Sequence, residues 1–380
     1  MTQERVPIGN YMTEYSVRNK GNEDIPVYSV TNSQGFCTEY FDKDVASKDK
    51  STYKIVPRGF FAYNPSRINV GSVDWQRSEE RVIVSPLYNV FSVSDELDKQ
   101  YLFYFLKSDI GKQMIKAKAS GSVRDNLKLD MLKEMTIPKR TIQEQKKCVA
   151  ILDELKKIIT LYTKRIEKYD ELVKARFVEM FGEPQDNPFG WDKMPLSNVI
   201  LNANNGMARR GNDENGNIVM RLVELQDGYI DYSNPNRIVL KGNEKTRYLL
   251  RDKDFLFARV NGNPDNVGRC AVFEDIGEDV YHNDHIIRVH FNELLLDGTF
   301  ASVLLNSDYG KRQLKGQIKT SAGQYTVSQD GIGAIVTILP PISLQKEFAN
   351  FVNQVDKSKV IDTNIIPEGG FYYGNKFFIS

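Results

Sequence analysis

The sequence predicts a mixed α/β chain that contains two similar domains, separated by long coiled-coil-like helices and related by a pseudo-twofold internal repeat. Three observations support this fold class. A motif recurs about 200 residues along the chain, each copy contains short apolar segments typical of strands, and one sustained heptad pattern lies between the copies. Solenoid repeats have periods of about 20–50 residues, so the longer period indicates duplication of a whole domain with its connector.

The repeated motif is strongest in the second half of each copy. Leu106–Lys112 recurs as Leu305–Lys311, an offset of 199 residues. The order of residues and the near-constant offset argue against chance matching of short strings. Further downstream the offset is 200, and three positions recur together: Ile142, Gln145 and Lys146 in the first copy, and Ile342, Gln345 and Lys346 in the second.

Short strands are predicted in the first part of each copy, where apolar runs are bounded by Gly, Asn and Pro. Arg81–Val84 and Asp254–Ala258 are examples. A helix is predicted after the strands, over Asp98–Ala119 in the first copy and Gly298–Lys319 in the second. The resulting boundaries are a first globular domain at 1–140, a spacer helix at 141–182, a second globular domain at 183–341, a shortened distal helix at 342–360 and an atypical tail at 361–380.

The spacer helix has the most regular pattern in the chain. Apolar residues recur at spacings of four and three over about 40 residues, which is the heptad seam of a coiled coil. At about 1.5 Å per residue such a helix is about 60 Å long. A seam of this length must pack against another long helix, and the distal helix is the expected partner. The seam residues are Leu152, Leu155, Ile159, Tyr162, Ile166, Tyr169 and Val173 in the spacer helix, and Phe348, Val352 and Val355 in the distal helix.

The distal helix is predicted to stop early. Its heptad pattern ends near Val360, and Pro367 with the following pair of glycines would stop a helix. A frameshift or a recombination junction near residue 360 is our hypothesis for this change of pattern. The expected consequence is that the seam from Tyr162 to Met180 has no partner within the chain.

Composition and charge argue against several classes of protein. No apolar run approaches the roughly 18 residues that a membrane helix needs. The three cysteines are far apart and odd in number, which favours reduced thiols and a cytoplasmic location. The net charge is only +1, but Leu106–Lys147 contains 11 Lys and Arg against 5 Asp and Glu. A local basic excess of this kind is compatible with binding to nucleic acid.

Motifs for catalysis are missing from the sequence. Each Asn-Pro pair lacks the second proline that an adenine methyltransferase needs to hold its flipped base, and neither a Gly-x-Gly-x-x-Gly string nor a P-loop occurs. His282, Asp284 and His285 are metal-ligating residue types, but they are too close in a predicted strand to face one ion. We therefore expect a hydrogen-bonded surface cluster there, and we predict neither catalytic nor metal-binding residues.

Several of these strings resemble the specificity subunit of type I restriction–modification systems. The resemblance rests on Tyr63–Gly71, on Leu106–Asp109, and on the prolyl turn that precedes Gln145, which Pro340–Lys346 repeats. It covers about residues 1–360. The double occurrence of the motifs at the same spacing makes the resemblance specific.

The resemblance implies two target-recognition domains held apart by a pair of antiparallel helices, with each domain reading one half of a split, asymmetric DNA site. The implied partners are double-stranded DNA, two methyltransferase subunits and restriction or translocase subunits, with no membrane. S-adenosylmethionine, ATP and Mg are implied in the partner subunits, and no cofactor is expected in this chain. Adenine methylation and DNA cleavage would be carried out by the partners, so the chain itself would not be an enzyme.

Three alternatives stay open at this stage. One is a free-standing nuclease or methyltransferase, against which the missing motifs count. Another is a coiled-coil scaffold or anti-restriction decoy of the same architecture. The third is a truncated or phase-switched inactive variant of the specificity subunit, suggested by the shortened distal helix.

Loops rich in Arg, Lys, Asn and Gln are the predicted DNA-reading surfaces, because these side chains best recognise base edges. The loops Ser120–Asn126 and Thr320–Thr326 occupy equivalent positions but differ in sequence, as two domains that read different half-sites should. Lysines just before these loops suit phosphate contacts. The candidate residues are Asn32, Gln34, Arg67, Asn69, Lys112, Lys116, Arg124 and Asn126 in the first domain, and Arg209, Arg210, Arg259, Asn261, Asn263, Lys315, Lys319 and Gln324 in the second.

Overall fold

The computed structural model describes residues 4–38, 49–119, 126–321 and 323–365, and these residues form two compact units. Unit 1 comprises the described residues up to Lys164 and those after Ile361, and unit 2 comprises Arg165–Ile361. Both units combine helices with small sheets, so the prediction of a mixed α/β fold is confirmed.

Unit 1 consists of short strands and helices, followed by the first part of one long helix. The strands are β1 (Arg5–Pro7), β2 (Met12–Glu14), β3 (Ser29–Thr31), β4 (Gly35–Cys37), β5 (Lys54–Pro57), β6 (Phe61–Tyr63), β7 (Val73–Trp75), β8 (Arg81–Val84), β9 (Asn89–Val93) and β10 (Thr136–Pro138). The helices are α1 (Lys99–Lys107), α2 (Asp109–Ala119), α3 (Leu129–Lys133) and the long α4 (Ile142–Phe181), which continues into unit 2.

The central sheet of unit 1 has the strand order β2-β9-β6-β7, and all of its neighbouring strands are antiparallel. Successive side chains of a strand point to opposite faces of the sheet. Phe61 and Tyr63 therefore join the cluster formed with Phe105 of α1, whereas Ala62 joins a second buried cluster with Val82. The sheet is thus covered on both faces, and α1 packs on one of them.

Unit 2 contains the second part of α4 and the remaining described elements. The strands are β11 (Asp192–Pro195), β12 (Ile200–Asn205), β13 (Asn217–Met220), β14 (Arg237–Ile238), β15 (Phe255–Ala258), β16 (Val260–Asn261), β17 (Cys270–Val272), β18 (Val280–His282), β19 (Ile286–Phe291), β20 (Lys319–Ser321), β21 (Gln324–Thr326) and β22 (Val336–Leu339). The helices are α5 (Gly242–Arg247), α6 (Gly298–Asn306), α7 (Asp308–Lys315), α8 (Gln329–Gly333) and α9 (Ile342–Ile365).

The central sheet of unit 2 has the order β12-β19-β15-β17, which follows the same sequence of connections as the central sheet of unit 1. Phe255 and Phe257 pack in the cluster that contains Phe300 of α6, while Leu256 faces a second cluster. Unit 2 also has a small sheet of order β14-β13-β18 and another of order β16-β21-β20. The second of these small sheets contains two of the candidate loops described below.

A serine breaks the helix that follows the central sheet of unit 1. The Oγ of Ser108 donates to the carbonyl of Phe105 at 2.6 Å and accepts from the backbone N–H of Gly111 at 3.1 Å. A Cβ on Gly111 would lie 2.1 Å from the Phe105 carbonyl oxygen, so only glycine allows α2 to approach α1 this closely. The prediction of one helix over Asp98–Ala119 is therefore wrong.

Unit 2 repeats this break. The Oγ of Ser307 donates to the carbonyl of Leu304 at 2.6 Å, and a Cβ on Gly310 would lie 2.3 Å from the carbonyl oxygen of Leu305. The predicted helix over Gly298–Lys319 is wrong for the same reason. It is also too long, because α7 ends at Lys315 and Lys319 begins a strand.

A buried glutamine at the start of α4 ties that helix to α1. The Nε2 of Gln145 donates to the carbonyls of Glu96 and Arg140, both at 2.9 Å, and its Oε1 accepts from the backbone N–H of Asp98 at 2.8 Å. Asp98 in turn caps α1 by accepting from the backbone N–H of Tyr101. The glutamine therefore holds the first turns of two helices together.

The glutamine at the start of α9 makes the same three bonds in unit 2. The Nε2 of Gln345 donates to the carbonyls of Leu295 at 3.0 Å and Pro340 at 2.7 Å, and its Oε1 accepts from the N–H of Asp297 at 2.9 Å. Gln145 is 3% exposed and Gln345 is 0% exposed, so water cannot replace these bonds. The recurrence of glutamine in the sequence thus has a structural cause.

Helix α4 contributes to the core of each unit at a different end. Leu152 is buried in unit 1, whereas Val173, Phe177 and Phe181 pack in the main cluster of unit 2. Leu155, Ile159, Tyr162, Ile166 and Tyr169 are half-buried.

In unit 2, the end of α4 packs against the start of α9. Phe177 and Phe348 have ring centroids 5.5 Å apart, and Val352 and Val355 of α9 are buried. Arg176 pairs with Glu347 at 3.3 Å, and Asp170 pairs with Lys359 at 2.6 Å. The residue of α4 with the lower number therefore pairs with the residue of α9 that has the higher number. The two helices are therefore antiparallel where they meet within unit 2.

Two expectations about the distal helix are wrong. The part of the seam from Val173 to Met180 does have a partner within the chain, because in an antiparallel pair it meets the start of α9 and not its end. The helix also runs to Ile365 and not 360, since residues 361–365 contain neither Pro nor Gly and the stop signals come later. The rest of the predicted tail, 366–380, lies outside the described residues.

Replacing Gln145 or Gln345 with Leu should lower the free energy of unfolding by about 2–4 kcal/mol, because two buried carbonyls and one N–H would lose their partner. Urea unfolding followed by circular dichroism measures this change. Gln143→Leu is the matched control, since Gln143 lies exposed on the same turn of α4. Equal effects of Gln143→Leu and Gln145→Leu would contradict the proposed role of the clamp.

Candidate nucleic-acid interface

Two candidate loops of unit 1 are joined by the side chain of Lys107, the last residue of α1. Its Nζ donates to the backbone carbonyl of Asn32 at 3.0 Å, to the Asn32 Oδ1 at 3.1 Å and to the carbonyl of Gly71. Asn32 lies in the turn between β3 and β4, and Gly71 ends the loop that follows β6. Burial lowers the pKa of Lys107 to about 8, and the nearby Asp74 partly opposes this shift.

In unit 1, the residue that directly follows the third candidate loop is bound to the second loop. The backbone N–H of Leu127 donates to the carbonyl of Pro65 at 3.1 Å, and the hydroxyl of Tyr63 donates to the carbonyl of Leu127 at 3.0 Å. Asn126 is described and half-buried, whereas Arg124 and the rest of 120–125 lie outside the described residues. Gln34, Arg67 and Asn69 are exposed on the first two loops.

In unit 2, two candidate loops form one small sheet. Strand β16, which carries Asn261, pairs with β21 of the hairpin β20–β21, and Asn261 lies opposite Tyr325. The backbone N–H of Val327 donates to the carbonyl of Arg259 at 2.9 Å. This bond is the counterpart of the one between Leu127 and Pro65 in unit 1, because the two residue pairs occupy equivalent positions of the repeat.

The remaining loop of unit 2 is tied to the same sheet through Asp284 and His285. Arg210 donates to the Asp284 carboxylate at 2.6 Å and lies 3.1 Å from the Nε2 of His285, while Arg259 donates to the Asp284 carbonyl at 3.1 Å. Burial lowers the pKa of His285; the neighbouring Asp284 opposes this shift, and Arg210 and Arg259 add to it. His282 differs from the expectation of a surface cluster, because it is fully buried in β18.

Arg209 is held by an acidic residue. Its guanidinium makes two bonds to the carboxylate of Glu244, at 3.1 and 2.6 Å, and one to the carbonyl of Val239 at 2.8 Å. The bonds from Arg209 lower the pKa of Glu244 to about 2. The structure thus gives Arg209 a bidentate ion pair of the strong, orientation-specific kind, which links the 204–210 loop to α5.

The candidate lysines lie on α2 in unit 1 and on or after α7 in unit 2. Lys112, Lys116, Lys315 and Lys319 have no carboxylate partner among the residues that the structure describes, and all but the half-buried Lys112 are exposed. Helix α2 contacts the turn at Ile68–Val70, so the first pair lies close to the second loop of unit 1. These lysines are available for phosphate contacts.

Asn261 and Asn263 use their side-chain oxygens to shape the loop that carries them. The Asn261 Oδ1 accepts from the backbone N–H of Asn263 at 2.9 Å, and the Asn263 Oδ1 accepts from that of Asp265 at 3.0 Å. Asn263 and Gln324 are exposed, and Asn261 is half-buried. The loop therefore has a defined shape that presents these amides at the surface.

Comparison with known proteins agrees with the resemblance seen in the sequence. Residues 7–169 match the family of the type I restriction modification DNA specificity domain. The chain is 26% identical over 271 residues to the type I restriction enzyme StySPI specificity subunit of Salmonella potsdam, and 23% identical to the EcoKI specificity subunit of Escherichia coli (strain K12). The matches cover 68% and 67% of this chain, and the chain spans 58% of the length of each relative.

These matches make the chain similar to the specificity subunits of type I restriction enzymes. This confirms the resemblance on which the sequence interpretation rests. Two solved structures share the fold of the chain. One is a chain from a structure of the type I R-M system, with a TM-score of 0.58, 13% identity and coverage of 99% of this chain and 95% of that one. The other is the S subunit from M. genitalium, with a TM-score of 0.52, 16% identity and coverage of 96% and 94%.

The matched region, residues 7–169, contains a buried residue that sequence reasoning missed. Lys107 was not among the candidates, although it lies inside the repeated motif Leu106–Lys112. Its counterpart in the second copy is Asn306, so a change of residue type within an otherwise repeated motif was the available signal. At Asp284 and His285 the sequence predicts a hydrogen-bonded surface cluster, but it gives no signal that their partners are Arg210 and Arg259. In the described part of the chain no cluster of His, Cys, Asp and Glu could hold a metal ion.

Glu244→Gln should lower the melting temperature above about pH 4.5, because the folded-state pKa near 2 lies below the ordinary value of 4.5. The ionised carboxylate stabilises the fold above that pH, and this contribution is lost as the pH falls toward 2. The melting difference between wild type and variant should therefore shrink between pH 7 and pH 3. Glu293→Gln is the control, since its partner Lys253 is 60% exposed and should contribute less; identical pH profiles would contradict the prediction.

Proposed function

We propose that the chain is the DNA sequence-recognition subunit of a type I restriction–modification complex and that it has no catalytic activity of its own. One observation carries the proposal. In both units, the residue that directly follows the last candidate loop donates an equivalent backbone bond to the loop that carries Arg and Asn candidates, from Leu127 to Pro65 and from Val327 to Arg259. Polar loops on a rigid mount can present donors and acceptors to base edges. The relatives are specificity subunits of restriction enzymes, which supports this function.

Each unit is proposed to read one half of a split, asymmetric DNA site. The central sheets and the glutamine clamps of the two units follow one plan, whereas their loops differ in sequence. A common frame with different surfaces suits two half-sites of different sequence. The target-recognition domains would be 1–140 and 183–341, with α4 and α9 as the spacers between them.

Methyltransferase subunits, in two copies, and restriction or translocase subunits are the proposed partners. Apolar side chains on α4 are exposed, which suits protein docking; they are Ile151, Ile158, Leu161 and Leu172, with 39–67% of their surface accessible. S-adenosylmethionine, ATP and Mg would be bound by those partners. None of the helices in the described ranges has the length and apolar character needed to cross a membrane.

Selection of bound sequences from a random DNA library tests the proposal. The full chain, co-expressed with its methyltransferase subunits, should select two specified blocks separated by a fixed gap. Asn69→Ala should relax only one block and Asn261→Ala only the other, because each removes a candidate amide from one unit; loss of a bidentate base contact costs about 1–3 kcal/mol.

A continuous motif would contradict the split-site proposal. Absence of any sequence preference would favour a scaffold or a decoy of the same architecture. Relaxation of both blocks by either variant would contradict the assignment of one half-site to each unit.

Single substitution of Lys112, Lys116, Lys315 or Lys319 by Gln should weaken binding to all sequences alike. Each phosphate contact that is lost should reduce the slope of log K against log[salt] by about 1. Fluorescence anisotropy at several salt concentrations measures the slope. Lys118→Gln is the matched control, because Lys118 already pairs with Glu134 at 2.7 Å and should change the slope less. An unchanged slope in all four variants would exclude these lysines from the interface.

A further inference from the structure

Lys107 is a buried cation whose three N–H groups are all used. It is 7% exposed, and its acceptors are two carbonyls and one side-chain amide oxygen from two different loops. A lysine ammonium has three donors and no acceptor, so this environment satisfies it completely. Bonds from a charged donor are stronger than those from a neutral one. The ammonium therefore acts as a cross-link between the turn at Asn32 and the loop that ends at Gly71.

The two loops meet closely enough that side chains are excluded at the junction. Gly71 has a φ of 93°, and a Cβ there would lie 2.2 Å from the Asn32 Oδ1. Gly35 has a φ of 66°, and a Cβ there would lie 2.0 Å from an oxygen of Asp74. Only glycine adopts these backbone angles readily and leaves this space free. The two loops are thus packed closely at the point where Lys107 binds them.

The cross-link also orients the amide of Asn32. Because the Oδ1 of Asn32 accepts from Lys107, the amide cannot turn over without losing that bond. Asn32 is exposed, so its Nδ2 group is left as a donor at the surface. An amide held in one orientation distinguishes acceptors from donors on a base edge, whereas a freely rotating amide accepts either.

The equivalent position in unit 2 does something different. Asn306 donates to the carbonyls of Cys270 at 2.8 Å and Ser302 at 2.9 Å, and its Oδ1 accepts from the N–H of Cys270 at 3.3 Å. These bonds fasten α6 to β17 and to its own preceding turn. A loop-to-loop cross-link at this position is therefore specific to unit 1.

We infer that Lys107 is a positioning residue for DNA recognition by unit 1, which fixes its first two loops as one surface and holds the Asn32 amide in a single orientation. The inference rests on the proposed function. Lys107 need not contact DNA, because it acts through the loops that it joins. Loops that are already ordered lose less conformational entropy when they bind DNA. If the two loops became disordered, the affinity for DNA should therefore fall together with the selectivity.

The test uses the full chain with its methyltransferase subunits and compares Lys107→Met with wild type in the library selection described above. Met keeps the length and apolar stem of the side chain but provides no donor. We expect the block that Asn69→Ala relaxes to be relaxed also by Lys107→Met, with about tenfold weaker binding to the wild-type site. The other block should be unchanged. Lys112→Met serves as the comparison, since it removes a lysine on the next helix and should weaken binding without changing either block.

The pH dependence separates positioning from a general loss of stability. Raising the pH from 7 to 9 passes the pKa of Lys107, which burial lowers from 10.5 to about 8, and the neutral amine has one donor fewer. The charged groups that face it are Asp74 from β7, Lys112 from α2 and Lys156 from α4. Between pH 7 and pH 9, wild type should lose sequence selectivity at the block that Asn69→Ala relaxes. The selectivity of Lys107→Met at that block should not change with pH.

The outcomes are distinct. If wild type selects a split motif and a folded Lys107→Met variant, checked by thermal melting, retains both blocks, the inference is wrong. Equal relaxation of both blocks, or the same pH profile in variant and wild type, would also overturn it, since either would indicate a structural role. A wild-type chain that selects no split motif would overturn the proposed function itself and the inference with it.

Discussion

The side-chain amide of one buried glutamine in each unit sets the position of the helix that supports the candidate loops. Gln145 binds the backbone N–H of Asp98, and Asp98 caps α1. The direction of α1 then places Lys107, at its last turn, under the two loops of unit 1. Loss of the Gln145 bond would therefore also displace the start of α1 and, with it, Lys107, because each of these bonds is made by a group that the previous bond holds in place. The serine break after α1 belongs to the same chain of constraints, since it ends the helix directly after Lys107.

In unit 2 a buried glutamine fixes the corresponding helix in the same way, but the last residue of that helix does not bind the candidate loops. Gln345 binds the N–H of Asp297, which caps α6, and α6 ends at Asn306. Asn306 binds β17 and not the candidate loops, which are joined instead by strand pairing between β16 and β21. Unit 1 therefore stabilises its surface with a buried cation and unit 2 with a small sheet. The frame is shared, and the means of holding the loops is not.

From the sequence, the repeated glutamines that fix the helices could be predicted better than the contacts that hold the candidate loops. The recurrence of Gln145 as Gln345 was visible because these side chains bind backbone atoms of a repeated geometry, so the residue type is dictated twice. The helix breaks at Ser108 and Ser307 were missed, because neither Ser nor the following Asp is a strong helix breaker, and the close approach of Gly111 to a carbonyl is a tertiary contact. The ion pair between Arg209 and Glu244 could not be predicted for the same reason. Residues 35 positions apart are brought together only by the folded chain.

The kind of bond that builds the frame explains why the surfaces can differ. The glutamine clamps and the equivalent bonds of Leu127 and Val327 are made to backbone carbonyls and N–H groups, which every residue except proline can supply in full. Loop side chains can therefore change without breaking the frame, provided that the backbone path is kept. The constraint reappears only where the backbone itself is unusual, as at Gly71, whose φ of 93° and contact with Asn32 exclude other residues. A surface that varies over such a frame can acquire a new arrangement of donors and acceptors with little effect on the packing beneath it, which is what a pair of related domains with different targets requires.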